Sequence, residues 1–378
     1  MSETKSTAKA VNRRKFLRGA AIATAATVAA PSVVSAQGPI SMRWQSTWPA
    51  KDIFHEYALD FAKKVNDMTG GDLKIEVLPA GAVVPAFQLL DAVSKGVLDG
   101  GHGVIVYHYG KSTALALWGS GPGFGMDANM LLAWHKYGGG KELLEKLYAS
   151  IGANVQSFVY GPMPTQPLGW FKKPMTQVSD FQGLKFRTVG ISIDVYTGLG
   201  AAVNALPGGE IVAAMDRGLL DAAEFNNASS DKTLGFPDVS KVCMLQSYHQ
   251  NAEQFEITFN KDKFNGLPEK MRAIISNAVE AASSDMSWKA IDRYSQDYLE
   301  LQKAGVKFYK TPDVILKKQL EVYDEVVKKK AGENPIFKEI LESQLAFAQR
   351  TARWENDTVV SRKMAFDHYW GPQGKRPI

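Results

Sequence analysis

The chain has 378 residues, 45% hydrophobic and 22% charged, with 18 Phe, 13 Tyr and 8 Trp. These values exclude a disordered, collagen-like or disulfide-stapled protein, and the single cysteine, Cys243, rules out an intrachain disulfide or a multi-cysteine metal cluster. The formal net charge of +5 is local: without the six bases and one acid of residues 1–36, 38 bases and 38 acids remain, and a neutral body gives no reason to expect a nucleic-acid or membrane-surface partner.

Residues 1–36 read as an address. A basic stretch, Arg13-Arg14-Lys15-Phe16-Leu17-Arg18, precedes a weakly apolar run from Gly19 to Ala30 and a small-x-small site ending at Ala36. That order predicts a cleaved export signal, and the paired arginines before Phe-Leu resemble the twin-arginine type. The run is too short and alanine-rich to span a bilayer, and no later window offers about 20 apolar residues. The expected location is therefore the periplasm, as a soluble protein.

Strand signals occupy Met42–Ser46, Leu73–Val77 and Val104–Tyr107, with helical spacing over Phe54–Met68 and Phe87–Lys95 between them. Further strands are expected at Val155–Val159, Leu168–Phe171, Leu184–Arg187, Ala202–Leu206 and Glu256–Asn260. Helices are expected at Ile191–Leu199 and Ile211–Arg217. This alternation indicates an α/β fold with a largely parallel sheet. Beyond Pro268 the pattern turns helical, with one helix over Glu269–Lys303, about 50 Å long at 1.5 Å per residue. Others follow over 313–330 and 335–369.

Residues 89–101 echo residues 211–223. Each is a helix, a glycine cap (Gly96, Gly218), then Leu-Asp and two small residues entering a strand. Two lobes built on one plan would give this echo, as would two chance copies of a common αβ unit.

Catalytic patterns are weak. The six histidines form no His-Glu-x-x-His motif, Gly138-Gly139-Gly140-Lys141 lacks phosphate-loop spacing, and no Gly-x-Ser-x-Gly elbow occurs. Cys243 reads as a buried small apolar residue.

The Gly70-to-Val77 strand entry, the Leu184-Lys185-Phe186-Arg187 strand, the Gly218-to-Glu224 segment and the Leu267-Pro268 step into a long helix carry a resemblance. Over nearly all of 39–370 the chain resembles the extracytoplasmic solute-binding protein of a tripartite ATP-independent periplasmic (TRAP) transporter. Within that family it looks most like the branch that takes 2-oxo acids and other small monocarboxylates, often with a metal ion. The resemblance implies a two-lobe periplasmic binding protein fold with a long helix crossing both lobes and a helical C-terminal extension. Lobe one is expected at 39–160 plus 227–256, and lobe two at 161–226 plus 257–378. No chemistry on the ligand is implied. Implied partners are separate TRAP membrane subunits and a second copy of the chain, joined through the aromatic-rich C-terminal helices.

Arg187 is the leading ligand residue. A guanidinium presents a rigid fork that matches a carboxylate, and the family's ligand-binding arginine falls in this strand. The resemblance also implies a Na⁺ or Ca²⁺ ion bridging the ligand's carboxylate, held by Glu224, by Gln166 and by a backbone carbonyl at Phe225. Oxygen donors suit such ions. Phe225 departs from the tryptophan common in that branch, keeping an apolar wall but losing an indole N–H. Gln254, near the second crossover, is a further candidate metal ligand. Asn226 reads equally as a polar contact or a turn residue.

Tyr107 and His108 are expected at the carboxyl end of a strand, where α/β folds bind ligands. Tyr107 is a candidate donor to a keto or hydroxyl oxygen. Phe124, Trp44, Gln45 and Trp48 are candidate covers of the cleft, with burial in the core as the alternative for each. The second functional class, an exported enzyme acting on a small carbonyl acid, requires a base or nucleophile with an orienting partner, and ligand turnover separates it from a receptor.

Overall fold

The computed structural model describes residues 38–372, so the expected export signal and its paired arginines lie outside the described residues. The chain starts a sheet with β1 (Ile40–Ser46). Next come α1 (Ile53–Met68), β2 (Leu73–Leu78), α2 (Leu89–Ser94) and β3 (Gly100–Gly103). Alternation in Leu73, Ile75 and Val77 buries one face of β2, as a period of two requires. After β3 come short 3₁₀ segments, α3 (Ala128–Tyr137), α4 (Gly140–Ser150) and β4 (Val155–Met163).

The third strand lies four residues earlier than the apolar run at 104–107 suggests. Ile105–His108 is a 3₁₀ turn, and Gly100–Gly103 pairs with β1 instead. A buried apolar run does not by itself distinguish strand from turn. The pairing depends on small residues, because a Cβ on Gly100 would lie 2.3 Å from the Trp44 ring.

The second sheet collects β5 (Gly169–Phe171) and β6 (Lys185–Arg187). α5 (Ser192–Gly198), β7 (Ala202–Asn204), α6 (Gly208–Asp216) and β8 (Ala222–Ala223) follow. α7 (Ala228–Leu234), α8 (Phe236–Val239) and β9 (Val242–Leu245) complete this stretch. The chain then re-enters the first sheet as β10 (Glu253–Asn260). It continues through α9 (Lys261–Asn265), α10 (Glu269–Lys303), β11 (Lys307–Lys310), α11 (Asp313–Glu333), α12 (Pro335–Thr358) and α13 (Arg362–Trp370).

The sheet orders are β2-β1-β3-β10-β4 and β11-β9-β5-β8-β6-β7. Both are mixed rather than largely parallel. β10 runs antiparallel to β3 and β4, and β5 antiparallel to β8 and β9, because these strands carry the chain between lobes. The expected lobe boundaries shift accordingly. Val242–Leu245 pairs in the second sheet, not with lobe one, and all of Glu253–Asn260 pairs in the first.

The 35-residue α10 has the expected bounds and bridges the lobes. Toward its middle, Asp285 pairs with Lys64 of α1 at 2.5 Å, and nearer its end Asp297 pairs with Lys232 of α7 at 2.7 Å. The expected helix over 335–369 is broken at Val359–Ser361, where Ser361 accepts from the Met364 N–H and restarts the chain as α13. α11 packs on α5, whereas α12 packs on α3, α4 and the 3₁₀ turns of the first lobe. The C-terminal hairpin therefore straddles both lobes instead of belonging to lobe two. No helix among the described residues is long and apolar enough to cross a membrane.

The echoed segments share one construction. Gly96 (φ +73) and Gly218 (φ +71) cap their helices in the left-handed region. Asp99 then accepts from the Arg43 N–H at 2.7 Å, and Asp221 from the Lys185 N–H at 3.1 Å, each on the neighbouring parallel strand.

Candidate functional site

Three connecting segments frame a small cavity between the sheets. Residues 164–168 run from β4 to β5, 224–227 from β8 to α7, and 246–252 from β9 to β10. The first and third are stitched together: Gln166 N–H donates to the Gln250 carbonyl at 3.3 Å, and Thr165 Oγ1 to the Asn251 carbonyl at 3.2 Å. The cavity measures about 20 Å³ and is lined by both lobes, with Trp48, Tyr107, Gln166, Arg187, Phe225 and Glu253 among its walls.

Arg187 ends β6, at the carboxyl edge of a parallel strand. Its side chain is 1% exposed. Nε donates to the Leu206 carbonyl at 2.8 Å, and Nη1 donates to Glu224 Oε1 at 2.9 Å and to the Glu224 carbonyl at 3.1 Å. Among the described residues Nη2 has no hydrogen-bond partner. Nε and Nη1 are thus fixed by protein groups, and Nη2 is the remaining donor of the guanidinium. Phe225 lies with its ring centroid 5.8 Å from the guanidinium carbon.

Glu224 follows β8 directly and is fully buried. Burial pushes its carboxyl up from the ordinary range, and the Arg187 charge opposes that. Glu253, the first residue of β10, is pushed further, to about 8, by burial and then by the Glu224 charge. It accepts from Gln166 Nε2 at 2.7 Å. Tyr107 is displaced upward by burial, so its hydroxyl stays a neutral donor.

Gln166, Arg187, Tyr107, Phe225 and Asn226 come together on the cavity, with Glu224 behind Arg187. Two expected residues do not. Gln254 points to the opposite face of β10, where Nε2 donates to the Ala128 carbonyl at 2.9 Å, because successive strand residues alternate sides. Gln250 and Glu253 take its place on the cavity. Phe124 lies against Tyr323 of α11, centroids 5.9 Å apart, so it contributes to the C-terminal hairpin's packing and not to the cleft.

Among the remaining cleft candidates, Trp48 lines the cavity and donates Nε1–H to His102 Nδ1 at 2.8 Å. Trp44 is core, edge-on to Phe259 at 4.6 Å. Gln45 is structural: Oε1 accepts from Val83 and Val84, and Nε2 donates to the Val84 carbonyl. His108 lines a neighbouring chamber, and burial lowers its imidazole to about 4. A glutamine near a crossover was the available signal for Gln250. Choosing between positions 250 and 254 required knowing where β10 starts.

The donor chemistry suits a hard cation. Gln166 Oε1, Gln250 Oε1 and Glu224 Oε2 are buried with no hydrogen-bond partner among the described residues, and amide and carboxylate oxygens are ligands Na⁺ and Ca²⁺ prefer. Among the described residues no group of three or more His, Cys, Asp or Glu is placed to hold a metal.

Residues 45–334 match the model of bacterial extracellular solute-binding protein, family 7. The chain is 34% identical over 359 residues to the monocarboxylate 2-oxoacid-binding periplasmic protein of Nostoc sp., covering 93% of this chain and 98% of that one. A TRAP transporter solute-binding protein from Bordetella bronchiseptica, a mixed-occupancy dimer with copurified calcium and picolinate, superposes with a TM-score of 0.82 at 28% identity, covering 88% and 97% of the two chains. One from Pseudoalteromonas atlantica, with bound sodium and pyruvate, gives 0.80 at 27% identity, covering 87% and 98%. The chain belongs to the family of bacterial extracellular solute-binding proteins, family 7, and has its two-lobe TRAP receptor fold.

Proposed function

We propose that this protein is a periplasmic receptor that captures a small 2-oxo or 2-hydroxy monocarboxylate, with a bound Na⁺ or Ca²⁺, and delivers it to TRAP membrane subunits. The observation that carries the reading is the half-committed Arg187 fork: Nη1 and Nε are pinned by Glu224 and Leu206, while Nη2 is buried beside the cavity with no hydrogen-bond partner among the described residues. Export by a twin-arginine signal accords with the reading.

In this reading Arg187 binds the acid's carboxylate and Tyr107 donates to its 2-oxygen. Phe225 and Trp48 wall the carboxylate end from water. Gln166, Gln250 and Glu224 would hold the cation through side-chain oxygens, with the Phe225 carbonyl as a further donor. When bound, the ion supplies positive charge to the carboxylate beside Arg187. The acid stabilises the closed pairing of the lobes by contacts to both.

Calorimetry with small 2-oxo acids, followed by mass spectrometry of the acid, tests this. Binding with the acid recovered intact is expected. Conversion of the acid overturns the reading in favour of an enzyme, for which Glu253, lifted toward neutrality, is the available acid–base group.

The receptor is further proposed to dimerise through its C-terminus. α13 buries none of its residues, and Trp354, Val360, Met364 and Phe366 are more than half exposed. A second copy is the occupant proposed for this surface, as in the Bordetella relative described as a dimer. Sedimentation at micromolar concentration is expected to give twice the monomer mass, and the monomer mass after truncation at Val359.

A further inference from the structure

Among the described residues only Phe124 and Gln246 hold a left-handed backbone without being glycine, at φ +54 and +69. A side chain is strained there, and the conformation persists only where its surroundings over-determine it. Gln246 opens the 246–252 segment, which carries Gln250 to the cavity.

The C-terminal hairpin holds the chain on both sides of Gln246. Before it, the Leu245 carbonyl accepts from the Thr311 N–H at 2.9 Å and from Thr311 Oγ1 at 2.8 Å, just ahead of α11. After it, Gln319 of α11 makes a double contact. Its Oε1 accepts from the Tyr248 N–H at 3.0 Å, and its Nε2 donates to Ser247 Oγ at 2.9 Å. Gln319 is 1% exposed, on a helix face otherwise buried through Ile315, Val322, Tyr323 and Val327. An amide in such surroundings is costly unless it is hydrogen-bonded, and these bonds all go to the segment that carries Gln250. One turn on, Tyr323 lies over Gly121, where a Cβ would come within 2.3 Å of its ring. The Gly121 N–H donates to the His249 carbonyl at 2.6 Å, and the Gly121 carbonyl accepts from the Asn251 N–H at 3.1 Å. α11 therefore braces the chain on both sides of Gln250, directly through Gln319 and, by way of Tyr323, through Gly121.

We propose that Gln319 is a positioning residue for the cation: by clamping Ser247 and Tyr248 it fixes where Gln250 presents its amide oxygen to the cavity. The inference rests on the receptor reading above and brings a residue of the C-terminal hairpin, which is not among the cavity walls, into the binding machinery. Gln344 of α12 is the matched contrast. It is 2% exposed, and its Nε2 donates to the Leu117 carbonyl at 2.7 Å, outside the 246–252 segment.

The test is calorimetry on the full chain with pyruvate as the probe, in buffer containing sodium or calcium and in buffer free of both. The readout is the cation gain, the ratio of the two affinities, with thermal melts alongside. Gln319→Leu is expected to lower the gain about fivefold or more, the worth of at least one hydrogen bond. Gln344→Leu is expected to lower the melting temperature with the gain intact. Ser247→Ala removes the hydroxyl and keeps the Tyr248 contact, so it is expected to lower the gain by a smaller factor, and it reads the same clamp if Gln319→Leu does not fold. In a Gln250→Met background, Gln319→Leu is expected to cost no further affinity in the cation-containing buffer, because it acts through that side chain. A gain left unchanged by Gln319→Leu, or by Ser247→Ala where the first does not fold, overturns this inference alone. So does an equal fall in the gain of Gln344→Leu, or a fully additive loss in the double variant. No heat with the unsubstituted protein overturns the receptor reading, and heat with no cation gain overturns the cation in that reading; this inference falls with either.

Discussion

Arg187 Nη1 lies 2.9 Å from Glu224 Oε1, with both side chains almost completely buried. Such a pair positions more than it stabilises, because the cost of desolvating two charges offsets most of their attraction. Removing one partner is a different matter. Arg187→Ala leaves the Glu224 carboxylate buried and uncompensated, and a loss of about 3–5 kcal/mol is expected in denaturant unfolding. Arg187→Lys keeps the charge but loses the planar fork, so acid affinity is expected to fall at least tenfold, about 1.5 kcal/mol or more, in calorimetry.

Two glutamines on the return to the first sheet separate a cation role from a structural one. Gln250→Met is expected to abolish any difference between acid binding in sodium, in calcium and in buffer free of both. Gln254→Met removes the bond to the Ala128 carbonyl and is expected to cost about 1 kcal/mol of stability while leaving that cation dependence intact. Titration in the three buffers, paired with thermal melts, checks both.

The Tyr109–Asp194–Lys330 group joins the first lobe, the second lobe and the C-terminal hairpin. The Lys330 ammonium also sits 5.6 Å over the Tyr109 ring. Tyr109→Phe removes one hydrogen bond to a charged group, worth about 1.5 kcal/mol or more. A rise of about tenfold in ligand off-rate with little change in on-rate is expected in stopped-flow measurements, because the bond forms after encounter.

Glu256 supplies a pH test remote from the cavity. It accepts from Tyr148 and from Ser157 Oγ, and burial pushes its carboxyl up to about 7 from 4.5. A raised folded-state value means the protonated form is the one the fold favours. Its contribution to stability is therefore full below about pH 4.5 and is lost as pH rises through about 7. Glu256→Gln is neutral throughout. The variant's melting temperature, relative to the parent's, is expected to increase steadily between those pH values and level off above them.

Local construction was legible in the sequence wherever one segment determined it. The 3.6-residue spacing and Pro268 set α10 to the residue, and Gly96 and Gly218 marked both helix-to-strand turns. Arg187 was singled out by the family resemblance, and the structure extends the echo to its strand. Arg187 pairs opposite Ala223 in the second sheet just as Gln45 pairs opposite Gly101 in the first. The two positions do different work: Gln45 holds a loop and Arg187 faces the cavity. What was not legible depended on distant partners. The third strand moved because Trp44 needs glycine beneath it, and Gln254 lost its place because β10 begins at Glu253. Phe124 went to Tyr323, about 200 residues away in the chain, a contact no local pattern encodes.

Native mass spectrometry of the purified protein, before and after Arg187→Lys and after incubation with a 2-oxo acid, addresses the central claim most directly. The expected result is an added mass equal to one small monocarboxylate plus one Na⁺ or Ca²⁺, the acid unchanged on incubation, and the added mass lost in the variant. No added mass with any 2-oxo acid, an acid retained equally by the variant, or an acid converted to another compound would contradict a receptor built around the free half of the Arg187 fork.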